Sequence, residues 1–251
     1  MAAEKATAIV LRVVDFSETS CIVTLYSREF GKFGALAKGG RRIKGPFEAA
    51  LDLLSSVRVV FLRKSSDALD LLTEAKLQRR FRPRKGDLTS LYADYYVAEL
   101  LDRLTEPYEP HPELFDLADE TLLALATTGS VRSILLHFEL GALRSLGYLP
   151  LLDQCVECGK AAEDSARLPF GILDGGVLCR DCRSGKRHVV NVSRKVLQTL
   201  DAYADLNDID WQTNGIENAT HGELRAVLNQ YWAHLLGRPP RMHAMLGNLP
   251  A

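Results

Sequence analysis

Four of the five cysteines form two close pairs, Cys155 with Cys158 and Cys179 with Cys182, in the pattern C-x2-C-x20-C-x2-C. Each pair can present two thiolates from one tight turn, and two such turns can complete a tetrahedral Zn²⁺ site with sulfur ligands at about 2.3 Å. The spacing therefore predicts one bound zinc ion. Because four protein ligands leave no coordination position for water or substrate, we expect this zinc to be structural rather than catalytic.

Two disulfides or one redox-active pair are the alternative interpretations of these cysteines. Disulfides disagree with the cytoplasmic location expected below, and a redox C-x-x-C needs only one pair on a thioredoxin-like βαβ unit. His188 follows the second pair and is an alternative metal ligand. Cys21 stands alone within a predicted strand, where a small buried apolar role is favoured.

Two runs of basic residues could contact nucleic-acid phosphates. The first lies on a glycine-rich connection, where glycines allow a backbone to approach phosphate closely, and it contains Lys38, Arg41, Arg42 and Lys44. The second run contains Arg79, Arg80, Arg82, Arg84 and Lys85. We interpret both runs as DNA-binding rather than as merely solvated surface. A further cluster near the second cysteine pair, for which phosphate contact and a solvated rim remain equal alternatives, contains Arg180, Arg183, Lys186 and Arg187.

Aromatic residues are interleaved with the basic ones in the N-terminal third. Their positions suit stacking platforms for unpaired bases, although packing in a protein core is the favoured role for each: Phe30, Phe33, Phe61 and Phe81.

The elements that must position these residues differ along the chain. Segments 7–14, 20–26, 34–38, 57–64 and 69–77 are rich in Val, Ile, Leu and Thr and predict five strands, which suit a small closed barrel of the OB-fold type. Apolar residues at three- and four-residue spacing then predict helices over 88–104, 113–126, 131–146, 192–205 and 221–236. We therefore expect an α+β multidomain chain, with an OB-fold domain over 1–82, an α-helical body over 83–152 plus 189–251, and an inserted zinc-binding region over 153–188.

The charge distribution separates the same two parts. Residues 1–86 contain 17 Lys and Arg against 9 Asp and Glu, whereas residues 87–251 contain 14 against 23. A basic module that meets a polyanion, attached to an acidic body, accounts for this asymmetry. No apolar run approaches the roughly 20 residues of a membrane span, and the first residues lack the pattern of a signal peptide, so we expect a cytoplasmic protein.

Three segments resemble the RecO family of recombination mediators. They are AIVLRVVDFSETSCIVTLYSREFGKFGALAKGGRR at 8–42, FELGALRSLGYLPLLDQCVECG at 138–159 and YWAHLLGRPPRMHAML at 231–246. The resemblance spans nearly the whole chain in the family's order. It implies an N-terminal OB-fold, a helical body and a zinc region, with a basic loop at Lys38, Arg41 and Arg42.

The resemblance further implies a role in DNA repair through the RecF pathway. The expected activities are binding of single- and double-stranded DNA, annealing of complementary strands, and help in loading RecA onto DNA coated by single-stranded DNA-binding protein. The implied partners are RecR, the C-terminal tail of that coating protein and, indirectly, RecA. For the tail we expect an apolar pocket beside one cation, either Arg103, Arg132 or Arg144. The expected location is cytoplasmic and nucleoid-associated, with no membrane contact.

No catalytic residue is expected, since annealing needs electrostatic and geometric help rather than a nucleophile. The alternatives are a zinc-dependent nuclease or deaminase, for which Asp205, Asp208 and Asp210 form the only dense acidic group, and a zinc-containing transcription or translation factor. Sequence-specific duplex binding would favour the factor, whereas a mediator binds any single strand.

Overall fold

The computed structural model describes residues 3–42, 47, 50–64, 68–127, 129–205 and 216–247. The chain divides into two compact units, Met1–Thr127 and Thr128–Ala251. The predicted division into three domains stays a prediction.

Unit 1 begins with five strands that close into a barrel in the order β1-β2-β3-β5-β4. They are β1 (Ala3–Asp15), β2 (Cys21–Ser27), β3 (Gly31–Ala37), β4 (Ser56–Leu62) and β5 (Asp70–Arg79). All neighbouring strands are antiparallel except β3 and β5, which run parallel where Ala35 pairs with Asp70. The prediction of five strands is confirmed, but β3 begins earlier than expected, at Gly31. This glycine has a φ of 68° and lies so close to the Glu109 carbonyl that a side chain would not fit.

The barrel is filled by the inward-facing residues of its strands. Along β2 and β3 buried and partly buried residues alternate, as expected for strands with one face toward a core. Phe33 stacks on Phe61 at 4.4 Å between ring centroids, and Phe30 meets Phe61 edge-on at 5.5 Å. The favoured core role of these three rings is confirmed. Cys21 is also buried in this core, as predicted.

Helices α1 (Leu88–Leu104) and α2 (Pro112–Ala126) complete unit 1. Asp87 caps α1 by accepting a hydrogen bond from the Ser90 N–H at 3.1 Å, and a proline opens α2, where its missing N–H costs nothing. Packing and charge join α2 to the barrel. The Phe115 ring lies 6.1 Å from that of Tyr26, and Asp116 pairs with Arg28 at 2.8 Å.

Unit 2 combines helices with a small antiparallel sheet of order β7-β6-β8. Its elements are α3 (Val131–Ser145), β6 (Arg167–Gly171), β7 (Gly176–Val177), β8 (Val189–Ser193), α4 (Arg194–Ala204), α5 (Asn218–Leu235) and α6 (Met242–Gly247). The small sheet and α6 were not predicted. The predicted helix start at 192 is wrong because β8 continues to Ser193, whose hydroxyl caps α4 by accepting from the Val196 N–H. Within the described residues, no helix is both long and apolar enough to cross a membrane.

Candidate metal centre and candidate nucleic-acid interface

The four paired cysteines converge in unit 2. The sulfur atoms of Cys155, Cys158, Cys179 and Cys182 all lie within 4.8 Å of one another, and Cys158 is 3.8 Å from Cys179. The first pair lies on a turn after α3, closed by the Gly159 N–H donating to the Cys155 carbonyl at 2.9 Å. The second pair follows β7. The predicted proximity of the cysteines is confirmed, and the four can hold a metal ion.

The electrostatics of the cluster favour a bound cation. Burial opposes ionisation of Cys155, but backbone N–H groups of Cys179, Cys158 and Glu157 outweigh it and lower the pKa of Cys155 to about 6. Hydrogen bonds with Cys179 and Cys158 stabilise the protonated form of Cys182 and raise its pKa to about 12. One thiolate is therefore favoured and a further one is opposed, because adjacent negative sulfurs repel each other. A divalent ion would remove this conflict, and an all-sulfur donor set suits a soft ion such as Zn²⁺.

Carboxylates neutralise several cations around the cluster. Lys186 contacts Glu157 at 2.6 Å and Asp174 at 2.7 Å, so it ties the first cysteine turn to the β6–β7 turn. Arg180 pairs with Glu163 at 3.1 Å. These contacts weaken the interpretation of Lys186 as a phosphate ligand, whereas Arg180, Arg183 and Arg187 are all exposed.

His188 does not join the cysteine cluster. It is exposed, has a φ of 54°, and its carbonyl accepts a hydrogen bond from the Ile172 N–H at 3.0 Å. The only group of potential metal ligands found among the described residues consists of the four cysteines.

The first basic run lies at the end of β3. Lys38 and Arg42 are exposed. Arg41 is exposed too, but it also pairs with Asp15 at 3.1 Å and donates to the Ser17 carbonyl at 2.9 Å, contacts that link it to the β1–β2 connection. Lys44, the fourth predicted residue of this run, lies outside the described residues.

The second basic run is partly exposed and partly paired. Its exposed members are Arg80, Arg82 and Lys85. Three arginines contact carboxylates within unit 1: Arg79 with Asp119 at 3.1 Å, Arg80 with Asp52 at 3.6 Å, and Arg84 with Asp87 at 3.5 Å. These three contacts give the arginines a role in the structure, and their predicted role in DNA binding stays a prediction.

A cleft on the barrel was missed by sequence reasoning. It has a volume of about 880 Å³ and is lined by residues of β1, β2, β3, the β4–β5 connection and the α1–α2 connection. Four basic residues line it, Arg12, Lys32, Arg63 and Lys64, together with two acidic ones, Glu4 and Asp102. Lys32 pairs with Asp102 at 3.5 Å, so the uncompensated positive charge comes mainly from the other three. These residues are scattered singly along the sequence, so no charge run marks them. Strict alternation from the core residues Ala6, Ala8 and Val10 would turn Arg12 into the barrel. A β-bulge between Val10 and Arg12 instead turns Arg12 outward, opposite Thr24, so the strand pattern alone gave no signal for it.

Tyr108 occupies one side of this cleft. Its backbone has a φ of 61°, its N–H donates to the Lys32 carbonyl at 2.8 Å, and its hydroxyl donates to Asp70. Burial and then the hydrogen bond to Asp70 raise the pKa of Tyr108, so the hydroxyl stays protonated. The guanidinium carbon of Arg63 lies 4.2 Å from the centre of the Tyr108 ring, within cation–π distance.

The three arginines considered for a peptide pocket lie in different surroundings. Arg132 donates to the Asn218 side chain at 2.6 Å, Arg103 pairs with Glu99 at 3.4 Å, and Arg144 is exposed near the end of α3. The acidic group of the enzyme alternative falls largely outside the described residues. Asp205 caps the end of α4, while Asp208 and Asp210 are outside them.

The barrel with its basic cleft, the helices and the four-cysteine cluster define a mixed α+β protein of two compact units with a candidate metal centre. Comparison with family models narrows this class. Residues 1–81 match the model described as Recombination protein O N terminal, and residues 85–243 match Recombination protein O C terminal. The chain therefore belongs to the RecO family, and the resemblance inferred from the sequence is confirmed.

Curated relatives agree over nearly the full chain. A DNA repair protein RecO from Rhodopirellula baltica is 40% identical over 95% of this chain and 97% of its own length. A protein of the same name from Myxococcus xanthus is 35% identical over 92% of this chain and 91% of its own length. Another, from Anaeromyxobacter dehalogenans, is 33% identical over 93% of this chain and 92% of its own length. Membership of this family is consistent with a role of the protein in recombination repair.

Proposed function

We propose that this protein is a recombination mediator of the RecF pathway of DNA repair. It binds single- and double-stranded DNA, anneals complementary strands and helps load RecA onto DNA coated by single-stranded DNA-binding protein. The observation that carries the proposal is the basic cleft on the closed barrel. The cleft involves β2, β3 and the β4–β5 connection, which correspond to the strands and loops that bind oligonucleotides in OB-folds. We accordingly assign the barrel as an OB-fold.

The positive charge at the end of β3 and in the cleft supports DNA binding without catalysis. Lys38 and Arg42 at the end of β3, together with Arg12 and Lys64 in the cleft, can neutralise phosphates of a strand. Cations that screen two strands lower their mutual repulsion, and base pairing then selects the partner sequence. No nucleophile or general base is needed, so we propose that the protein is not an enzyme.

The finer parts of the proposal concern partners, metal and location. We propose RecR, the C-terminal tail of single-stranded DNA-binding protein and, indirectly, RecA as partners, in the cytoplasm and associated with the nucleoid. One structural zinc ion bound by the four cysteines is part of the same proposal. The convergence of the cysteine sulfur atoms supports it.

The test is annealing of two complementary oligonucleotides coated with single-stranded DNA-binding protein, over a salt series without nucleotide. We expect the protein to accelerate annealing and the acceleration to fade with salt. The double variant Lys38→Ala/Arg42→Ala should lower the salt slope of single-strand binding by about 1.4, since each phosphate contact contributes about 0.7. Arg28→Ala is the matched control because Arg28 belongs to neither basic run and makes two contacts with Asp116, and its slope should not change.

Two results would contradict the proposal. Failure of the folded protein to bind or anneal single strands would remove the mediator function. Tight binding to one particular duplex sequence, without annealing, would instead support the transcription-factor alternative.

A further inference from the structure

A stack of flat groups runs from the barrel core into the basic cleft. Phe61 stacks on Phe33 at 4.4 Å with an interplanar angle of 26°, and Phe33 stacks on Tyr108 at 6.0 Å with an angle of 21°. Arg63 lies over the Tyr108 ring at 4.2 Å. The inner rings are buried, whereas Arg63 is exposed and lines the cleft. The guanidinium group is thus the last layer of the stack before solvent.

Several contacts fix the position of Tyr108, the ring beneath this last layer. Asp70 is 2% exposed, and its carboxylate accepts from the Tyr108 hydroxyl and, at 2.9 Å, from the Lys64 N–H. Tyr108 also donates its own N–H to Lys32 of β3. Its φ of 61° is uncommon for a residue other than glycine, and these contacts hold it there. Because both sides of the Tyr108 ring are in use, a ligand can stack only on Arg63.

We propose that an unpaired nucleobase of single-stranded DNA stacks on the Arg63 guanidinium group in this cleft. Guanidinium planes stack on bases, and an arginine whose guanidinium group already lies over an aromatic ring loses less freedom when it does so. Arg12 and Lys64 line the same cleft and can meet the phosphates on either side of that base. Bases paired in a duplex keep their faces stacked on their neighbours, so this position selects single strands. The inference rests on the DNA binding proposed above and adds the position at which a base is held.

The test compares two single strands of equal length, an oligothymidylate and a strand of abasic nucleotides, by fluorescence anisotropy with the full-length protein. The wild type should bind the oligothymidylate more tightly. Arg63→Lys keeps the charge but removes the plane, so it should reduce this preference by about tenfold, within the range known for loss of one stacked base. The salt slope should stay unchanged, because the number of cations is the same.

Arg58→Lys is the matched control. Arg58 is an exposed arginine on β4 that does not line the cleft, so its substitution should leave both the preference and the slope unchanged. Equal binding of the two strands by the wild type would overturn the stacking position while leaving the proposed DNA binding intact. Retention of the full preference by Arg63→Lys would overturn it as well. Absence of binding to either strand would instead contradict the proposed function.

Discussion

The carboxyl group of Asp94 is buried near the middle of unit 1's helix α1. Asp94 has an exposure of 0%, and neither of its oxygens has a hydrogen-bond partner among the described residues. Nearby Ser90 donates its hydroxyl to the Leu125 carbonyl at 2.8 Å and not to the carboxylate. Burial raises the pKa of Asp94 to about 8. The positive charge of Arg84 lowers this pKa somewhat, and the negative charge of Asp87 raises it. The folded protein therefore holds this group protonated at neutral pH.

The shift makes stability depend on pH. Because the folded pKa of Asp94 lies above the unfolded value of 3.8, its favourable contribution is complete below 3.8 and is lost as pH rises toward 8. Each pH unit between these values costs about 1.4 kcal/mol. From pH 5 to pH 8 the free energy of unfolding should therefore fall by about 4 kcal/mol through this group alone.

Asp94→Asn tests this fall in the free energy of unfolding, because an amide imitates the protonated acid without titrating. We would measure urea unfolding of the wild type and the variant at pH 5, 6.5 and 8. The variant's stability relative to the wild type should rise by about 4 kcal/mol across the series, because all other titrations cancel in the difference. Asp201→Asn, at an exposed position of α4, is the control and should give a constant difference. A constant difference for Asp94→Asn as well would refute the reasoning.

Two further predictions concern unit 2. Glu139 has no exposed side-chain surface, and its carboxylate binds Arg225 at 2.5 and 3.0 Å, so Glu139→Ala should lower the free energy of unfolding by about 3 to 5 kcal/mol. The double variant Glu139→Met/Arg225→Met should cost much less, because it leaves no buried charge behind. Equal losses of the two variants in urea unfolding would contradict this. The purified chain should contain one zinc ion, Cys158→Ser should abolish most of it and lower Tm, and a chelator that leaves the wild-type Tm unchanged would contradict a structural metal.

The barrel was predictable because its pattern is local. Alternation in segments such as β2 identifies a strand without knowledge of its neighbours. The sheet of β6, β7 and β8 lacked such a signal, since β7 contains only Gly176 and Val177. β8 runs directly into α4 at Ser193, so the apolar residue Val192 suited the helical spacing equally well. Short strands between turns are recognised only once their pairing partners are known.

The candidate sites differ in the same way. The cysteine pairs were found because each pair is adjacent in sequence. The cleft was missed because barrel closure and the α1–α2 connection bring together Arg12, Arg63 and Tyr108 from distant positions. Counting charges along the sequence also makes the opposite error, because it treats a paired arginine as available for DNA. Arg79 is an example: its partner Asp119 lies 40 residues away, and only the fold reveals the pair.

The surroundings of the cysteine cluster argue that a metal held there would stabilise the fold rather than contact DNA. The small core at this place consists of Cys155, Leu178 and Cys179, so cysteines supply most of it. A region with so little apolar burial depends on other bonds for its stability, and a metal held by four thiolates provides them. Four thiolates enclose the ion position, so phosphate could meet only the surrounding cations, of which Lys186 is already held by Glu157 and Asp174. Removal of a bound metal should therefore affect the stability of unit 2 first, and any effect on strand binding should follow from that unfolding.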